Sequence, residues 1–354
     1  MQRLLMKGNE AIAEAAIRAG CRHYFGYPIT PQNEIGAYMS RRMPQVDGVF
    51  LQAESEIAAV NMVLGASAAG VRAMTSSSSP GITLKTEAIS YLAGSELPAL
   101  IVNIQRGGPG LGTIQPAQSD YNQATKAPGH GDLRLLVFAP STVQEMVDSV
   151  FEVFDLTEKY LMPGMLLCDG LLGQMMEPVT FPEVKISQAE KPWALTGHGD
   201  KRPPNAINSL YLDADICEQK NIARFERYAQ AEKTQAKAES FLTEDADIVV
   251  VAYGACARIA RSAVTTARAQ GIKAGLLRPI TVWPFPKKQL LAASKNAKSL
   301  LAVEMSMGQM VDDVRATLEF KKPVHFFGRT GGVVPTPNEV IEQLKIINDR
   351  GAAV

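Results

Sequence analysis

The sequence predicts two α/β units: a doubly wound, mostly parallel sheet over residues 1–180 and a second unit over 246–354, joined by a polar arm at 181–245. Three observations carry that reading. Short apolar runs alternate with helix-period segments in both blocks. Most of the runs are apolar almost throughout, as strands buried on both faces of a parallel sheet must be. Between the blocks the alternation stops and the chain turns polar, first rich in Pro and Gly and then in charge.

Each element follows from local rules. "EAIAEAAIRAG" (10–20) has a helical apolar period and stops at Gly20, suited to the left-handed backbone of a helix end. "HYFGYP" (23–28) reads as a short strand. Pro28 stiffens the approach to Thr30-Pro31, which has the grammar of a helix start, with Thr as cap and Pro as first helical residue. "GVFLQA" (48–53) is a strand feeding "SEIAAVNMVLGASAAG" (55–70), a helix capped by Ser55 whose small residues permit close packing. "RAMTSSSS" (72–79), "ALIVNIQ" (99–105), "RLLVFAP" (134–140) and "GMLLCDG" (164–170) are further strands, and Ser141-x-x-Gln144 reads as a capping box. "KPWALTGHGDKRPPN" (191–205) reads as a linker or crossover arm and "QAEKTQAKAES" (230–240) as an exposed helix. The second block has strands at "DIVVVAYG" (247–254), "KAGLLRP" (273–279), "SLLAVEMS" (299–306) and "VHFFGR" (324–329). Its helices fall near 256–269, 286–295 and 309–319, and a last one opens at the box Thr336-Pro337-Asn338-Glu339.

Composition narrows the function classes. At 354 residues, with 36 basic and 36 acidic side chains, the chain has no basic excess of the kind nucleic acid or an anionic membrane attracts. It has no apolar run long enough for a membrane span. Cys21, Cys168, Cys217 and Cys256 are far apart and form no CxxC pair, so the chain is not expected to hold its own iron–sulfur cluster or zinc. Each reads as a small buried side chain, and four unpaired thiols without a leader-like segment suggest the reducing cytoplasm. His23, His130, His198 and His325 lack metal-ligand spacing; His130, in "PGHGD", is the one in a loop that could face a site, although a structural role suits it better.

Candidate chemistry gathers at the ends of the first-block strands, where open α/β sheets bind ligands. Thr30 stands at one, although a plain helix cap explains it locally. Glu54 and Glu56 stand at the next; either could simply complement a helix N-terminus, and a buried one becomes a proton partner for a cofactor. "TSSSSPG" (75–81), with Ser79, is a polar cradle or a solvated turn, and it is neither a GxGxxG nor a P-loop word. Arg106 ends an apolar strand before the glycine-rich "GGPGLG"; its guanidinium suits either a bidentate carboxylate clamp or a structural ion pair.

Taken together, "GYPITPQNE", "QAESEIAAVNMVLGASAAG", "RAMTSSSSPG", "NIQRGGPGLGTIQPAQSDY" and "DGLLGQMMEPV" resemble the α subunit of 2-oxoacid:ferredoxin oxidoreductases. The resemblance continues through "LLRPITVWPFP" and "VEMSMGQMVDDVR", so it covers nearly the whole chain, and its wording is nearest the 2-oxoisovalerate-using branch. It implies a thiamine-diphosphate-binding fold whose first domain is the pyrimidine type, followed by a domain like the transketolase C-terminal one. It implies oxidative decarboxylation of a 2-oxoacid with coenzyme A, giving acyl-CoA, CO2 and reduced ferredoxin. It implies a β subunit that holds the diphosphate and its Mg2+, with γ and ferredoxin-like cluster subunits beside it. That division of labour agrees with a chain lacking a GDG…N word and cluster-type cysteines. Carried over by residue, Glu56 bonds the pyrimidine ring nitrogen, Arg106 binds the oxoacid carboxylate, and Thr30 places a hydroxyl beside it. Pro28, Ile29, Thr30 and Ser79 are expected to line the cofactor. The alternatives are a 2-oxoglutarate-using subunit, a non-catalytic assembly subunit, and a transketolase-like enzyme that leaves the "YPITP" and "RGGPG" words unexplained.

Overall fold

Every apolar run expected to be a strand is one, and the helices fall between them. The computed structural model describes residues 3–183, 191–199 and 201–351; residues 184–190 and 200 of the expected linker lie outside these. The chain opens with β1 (Leu4–Lys7), α1 (Gly8–Arg18), β2 (His23–Gly26), α2 (Asn33–Arg42) and β3 (Val49–Gln52). Next come α3 (Glu56–Ala68), β4 (Ala73–Ser77), α4 (Ser79–Gly94), β5 (Leu100–Gln105) and α5 (Tyr121–Thr125). Then follow β6 (Leu136–Phe138), α6 (Val143–Tyr160), β7 (Gly164–Asp169), α7 (Gly170–Gln174), β8 (Met176–Val179) and α8 (Ala214–Gln235). The remainder is β9 (Ala238–Phe241), β10 (Ile248–Val251), α9 (Gly254–Ala269), β11 (Ala274–Pro279), β12 (Thr281–Trp283) and α10 (Lys287–Ala293). β13 (Ser299–Glu304), α11 (Met310–Thr317), β14 (Val324–Gly328) and α12 (Pro337–Gly351) close it.

The first sheet has the order β12-β6-β7-β5-β4-β2-β3 and is parallel except for β12. From β2 the chain steps out to β3 and then returns to the other side of β2, so the direction of winding reverses between β2 and β4. Neighbouring residues of β2 show the two faces. Tyr24 joins the core of α1, α2 and α6, while Phe25 joins the core of α3 and α4. A ligand site at such a sheet belongs outside the strand carboxyl ends, at the reversal. The second sheet, β14-β13-β10-β11-β9, is parallel except for its edge strand β9.

The two halves share their interior. β12 comes from the second block yet completes the first sheet beside β6, and one buried cluster runs from Ile12 through Val250 to Leu344. Gln118 bridges the halves, donating from Nε2 to the Tyr253 carbonyl (2.9 Å) and accepting the Met305 N–H at Oε1 (3.1 Å).

Several local readings need correction. The box opening α6 is Thr142 with Glu145, one residue on from Ser141 and Gln144. Thr142 Oγ1 accepts the Glu145 N–H (3.0 Å), and the Glu145 carboxylate accepts the Ser141 N–H (2.8 Å). A carboxylate outcompetes an amide there because it also meets the positive end of the helix. The charged stretch at 230–240 is not one exposed helix: α8 ends at Gln235 and β9 begins at Ala238. Arg224, Tyr228 and Ala231 of α8 are buried at helical spacing, a stripe the charged composition hid. Cys21, Cys168 and Cys256 are buried as expected, but Cys217 is only half-buried. The box at Thr336 and Glu339 forms as read. No described helix is long and apolar enough to cross a membrane.

Candidate active site

Thr30 is not a helix cap. The Thr30–Pro31 peptide is cis, α2 starts at Asn33, and Gln32 occupies the N-cap position. Thr30 Oγ1 instead accepts Asn33 Nδ2 (3.1 Å), and its carbonyl accepts Arg106 Nη1 (2.9 Å). Gln32 turns into the winding reversal, where its Oε1 accepts the Ser76 hydroxyl (2.6 Å) and Ser76 meets Tyr24 (2.7 Å). Pro28 is exposed, and Ile29 and Thr30 are half-buried along the same rim.

The two glutamates differ in burial. Glu54 is exposed, while Glu56, the first residue of α3 after its cap Ser55, is 5% exposed. Glu56 reaches the first turn of α4. A Cβ added to Gly81 would lie 2.5 Å from Glu56 Oε1 and 2.1 Å from Ser77 Oγ, so glycine is what lets these groups approach the helix start. The N-terminal end of α4 favours the negative charge. Behind Glu56, the fully buried Lys85 donates to the Glu56 carbonyl (3.2 Å) and to Thr75 Oγ1 (3.1 Å). Burial pulls the Lys85 pKa down to about 8, against the opposing charge of Glu56.

The segment 75–81 is no solvated turn. A single residue, Ser78, separates β4 from α4, and Ser76, Ser77, Ser78 and Ser79 are all buried. Ser79 Oγ donates to Asp120 Oδ2 (2.6 Å) and accepts the Arg106 N–H (3.0 Å), and Asn103 Nδ2 also meets Asp120 (2.9 Å). Burial raises the Asp120 pKa, with Ser79 and Asn103 pulling the other way. The hydroxyls of Ser77 and Ser78 are sealed without a partner, unusual for buried polar groups.

Arg106 is 8% exposed and has no carboxylate partner among the described residues, so the structural ion pair is not what it serves. Its Nη1 and Nη2 donate to the carbonyls of Thr30 and Leu111, and its buried Nε has no partner. It lines a cavity of about 650 Å³ with Ser79, Asp120, Pro109, Leu111 and Met307. Thr30 lines a neighbouring cavity of about 490 Å³ across the Arg106–Thr30 hydrogen bond, and Glu56 lines neither. The structure thus joins Thr30, Arg106 and Ser79 directly and sets Glu56 beyond them, across the 77–81 turn. His130 stands apart, in a separate cavity with Cys217 and Arg224.

Sequence reasoning does not find Lys85, Asn103 or Asp120. A signal for Asn103 is present: an amide interrupts the apolar strand "ALIVNIQ", and a buried polar residue needs a reason. Lys85 and Asp120 carry no such local mark.

The residues fit a pyrimidine-bearing cofactor. The Glu56 carboxylate accepts no hydrogen bond from any described residue, the buried Ser77 hydroxyl near it lacks a partner, and Gly81 keeps the approach open.

Residues 14–266 match the family described as pyruvate flavodoxin/ferredoxin oxidoreductase, thiamine diphosphate-binding, and 246–340 match pyruvate:ferredoxin oxidoreductase core domain II. The ketoisovalerate oxidoreductase subunit VorB of Methanothermobacter thermautotrophicus is 48% identical, with 96% of this chain and 97% of that protein covered. The 2-oxoglutarate synthase subunit KorA of the same organism is 36% identical, with 97% and 98% covered. Among solved structures, a 2-oxoglutarate:ferredoxin oxidoreductase from Magnetococcus marinus with 2-oxoglutarate, coenzyme A and succinyl-CoA bound superposes with a TM-score of 0.87 at 27% identity, covering 97% of this chain and 65% of that one. A split-gene transketolase, at a TM-score of 0.61 and 14% identity, shares the fold. With matches spanning almost its whole length, the chain belongs to the 2-oxoacid:ferredoxin oxidoreductase family and carries that family's thiamine-diphosphate-binding domain.

Proposed function

We propose that the chain is the α subunit of a coenzyme A-dependent 2-oxoacid:ferredoxin oxidoreductase that uses a branched aliphatic oxoacid, 2-oxoisovalerate. The reading rests on one observation above the others: a nearly buried guanidinium without an acidic partner, open to a cavity. Arg106 has five N–H groups and commits two of them to carbonyls, which leaves a fork for one carboxylate. Arg106 is also the one cation among the residues lining that cavity, whose other walls include Pro109, Leu111 and Met307. An aliphatic tail suits those walls. The second carboxylate of 2-oxoglutarate finds no cation there, and the higher identity to the ketoisovalerate subunit points the same way.

Thiamine diphosphate, when bound, supplies a nucleophilic carbon for the keto group and a sink for the electrons released with CO2. This chain's part is to hold and orient. Glu56, buried at the start of α3, would hold a pyrimidine ring nitrogen by a hydrogen bond. Pro28, Ile29, Thr30 and Ser79 would line the cofactor, and the Arg106–Thr30 hydrogen bond fixes the clamp relative to the rim. Fixed geometry of this kind substitutes for entropy otherwise lost in the reaction.

The β subunit with the Mg2+-diphosphate half, the γ and ferredoxin-like cluster subunits, ferredoxin and coenzyme A complete the reaction, and the assembly works in the cytoplasm. An assembly-only subunit would not need Glu56 and Arg106 held as they are. The test is coenzyme A-dependent dye reduction by the co-purified complex across pyruvate, 2-oxoisovalerate, 2-oxoglutarate and aryl oxoacids. The highest kcat/KM is expected for 2-oxoisovalerate, and a preference for 2-oxoglutarate overturns the substrate assignment.

A further inference from the structure

We propose that Lys85 is a positioning residue for Glu56: from α4, its ammonium ties the first turn of α3 to β4 and sets a positive charge behind the carboxylate that faces the cofactor. The cofactor half of this statement rests on the thiamine reading above; the coupling of the two side chains does not. Lys85 is fully buried, which is rare for an unpaired lysine, and its partners are two neutral oxygens on two different elements. The Glu56 carbonyl belongs to the turn that aims the Glu56 side chain, and Thr75 belongs to β4, the strand that leads into the buried serines 77–79. One side chain therefore links the turn that carries the glutamate to the strand that carries Thr75.

The electrostatics single out the same pair. The elements packed against α3 include β2, β4 and α4. α3 itself carries Glu56 as its one charged residue, and β4 carries none. β2 contributes His23, at its far amino end and lowered in pKa by burial, and Tyr24, whose hydroxyl is engaged with Ser76. α4 contributes Lys85 and Glu87, and the Glu87 carboxylate takes the Tyr91 hydroxyl on the exposed face. Lys85 reaches Glu56 through the backbone carbonyl and forms no ion pair with its carboxylate, and the Glu56 charge helps keep Lys85 protonated in a site whose burial works against it.

The first test uses the assembled complex and needs neither cofactor nor turnover. A lysine with a depressed folded pKa costs stability at neutral pH, and the cost is relieved as pH rises from about 8 toward 10.5. Melting temperature is measured against pH for the parent complex and for Glu56→Gln. Removing the carboxylate moves the onset of that relief down by roughly one pH unit in the difference curve. An onset that stays put overturns the coupling. Turnover then separates positioning from packing. In Lys85→Met, kcat at saturating thiamine diphosphate falls roughly tenfold or more, while KM for the oxoacid stays within about twofold. Thr75→Val deletes the tie to β4 but keeps the charge and the bond to the Glu56 carbonyl, so it lowers kcat by less than Lys85→Met does. A kcat in Lys85→Met that stays within about twofold of the parent's overturns the positioning role. If Lys85→Met fails to assemble, the Glu56→Gln difference curve decides. If that curve shifts while Glu56→Gln turns over normally, the coupling stands and the thiamine reading of Glu56 falls.

Discussion

On the proposed reading Arg106 and Glu56 have separate roles, and their replacements should fail differently. Losing a charge-assisted fork to a carboxylate costs about 1.5–3 kcal/mol, or roughly 10- to 150-fold. Arg106→Ala in the assembled complex is therefore expected to raise KM for 2-oxoisovalerate by about that factor, with kcat falling less. Arg106→Lys rescues little, because an ammonium cannot span the Thr30 and Leu111 carbonyls and still offer a fork. Steady-state kinetics check both, and an unchanged KM rules out the clamp. Glu56→Ala, by contrast, abolishes ferredoxin reduction at any oxoacid concentration while the complex still assembles, as checked by gel filtration beside the activity assay. Near-normal activity removes Glu56 from the mechanism.

At the scale of elements, the site depends on how closely α4 begins after β4. Gly81 stands in its first turn. In an ordinary helix, Gly→Ala stabilises by about 1 kcal/mol. Here the added methyl would sit 2.1 Å from Ser77 Oγ and 2.5 Å from Glu56 Oε1, contacts that packed interiors do not hold. The steric term wins. Gly81→Ala should weaken thiamine diphosphate binding by the complex roughly tenfold or more, read by titration in the presence of Mg2+, and unchanged affinity shows that the glutamate has room to move. The strands, and the helix boundaries at Gly20, Ser55 and Thr336, were legible because each obeys a local rule. What misled was grammar that two registers satisfy. Ser141–Gln144 and Thr142–Glu145 both match a capping box, and Thr30–Pro31 copies the box at Thr336 while serving the Arg106 contact instead. Lys85 was invisible for another reason: in sequence it is one lysine on an ordinary helix, and only the fold brings Glu56 and Thr75 around it.

For the whole molecule, the strand alternation suggested two blocks but could not show how they meet, because that depends on pairings far apart in sequence. β12 crosses to the first sheet, and Gln118 joins the halves through both side chain and backbone. Its N–H also donates to the Met305 carbonyl (2.8 Å), and the Tyr253 hydroxyl donates to its carbonyl (3.1 Å). Gln118→Leu keeps the volume but strips the partners from the Tyr253 carbonyl and the Met305 N–H. Each such buried group left unpaired costs about 1–3 kcal/mol. If the halves unfold as one cooperative unit, that loss spreads to both. Hydrogen exchange of the assembled complex, followed by mass spectrometry, distinguishes the cases. Peptides over Leu100–Gln105 and Ile248–Val251 are expected to lose protection together in Gln118→Leu, since both are buried central strands on either side of the same joint. Loss confined to one of them would mean that the shared core does not couple the halves. The Arg106 cavity, which takes Met307 and Gln309 from the second half, would then be held by its loops alone.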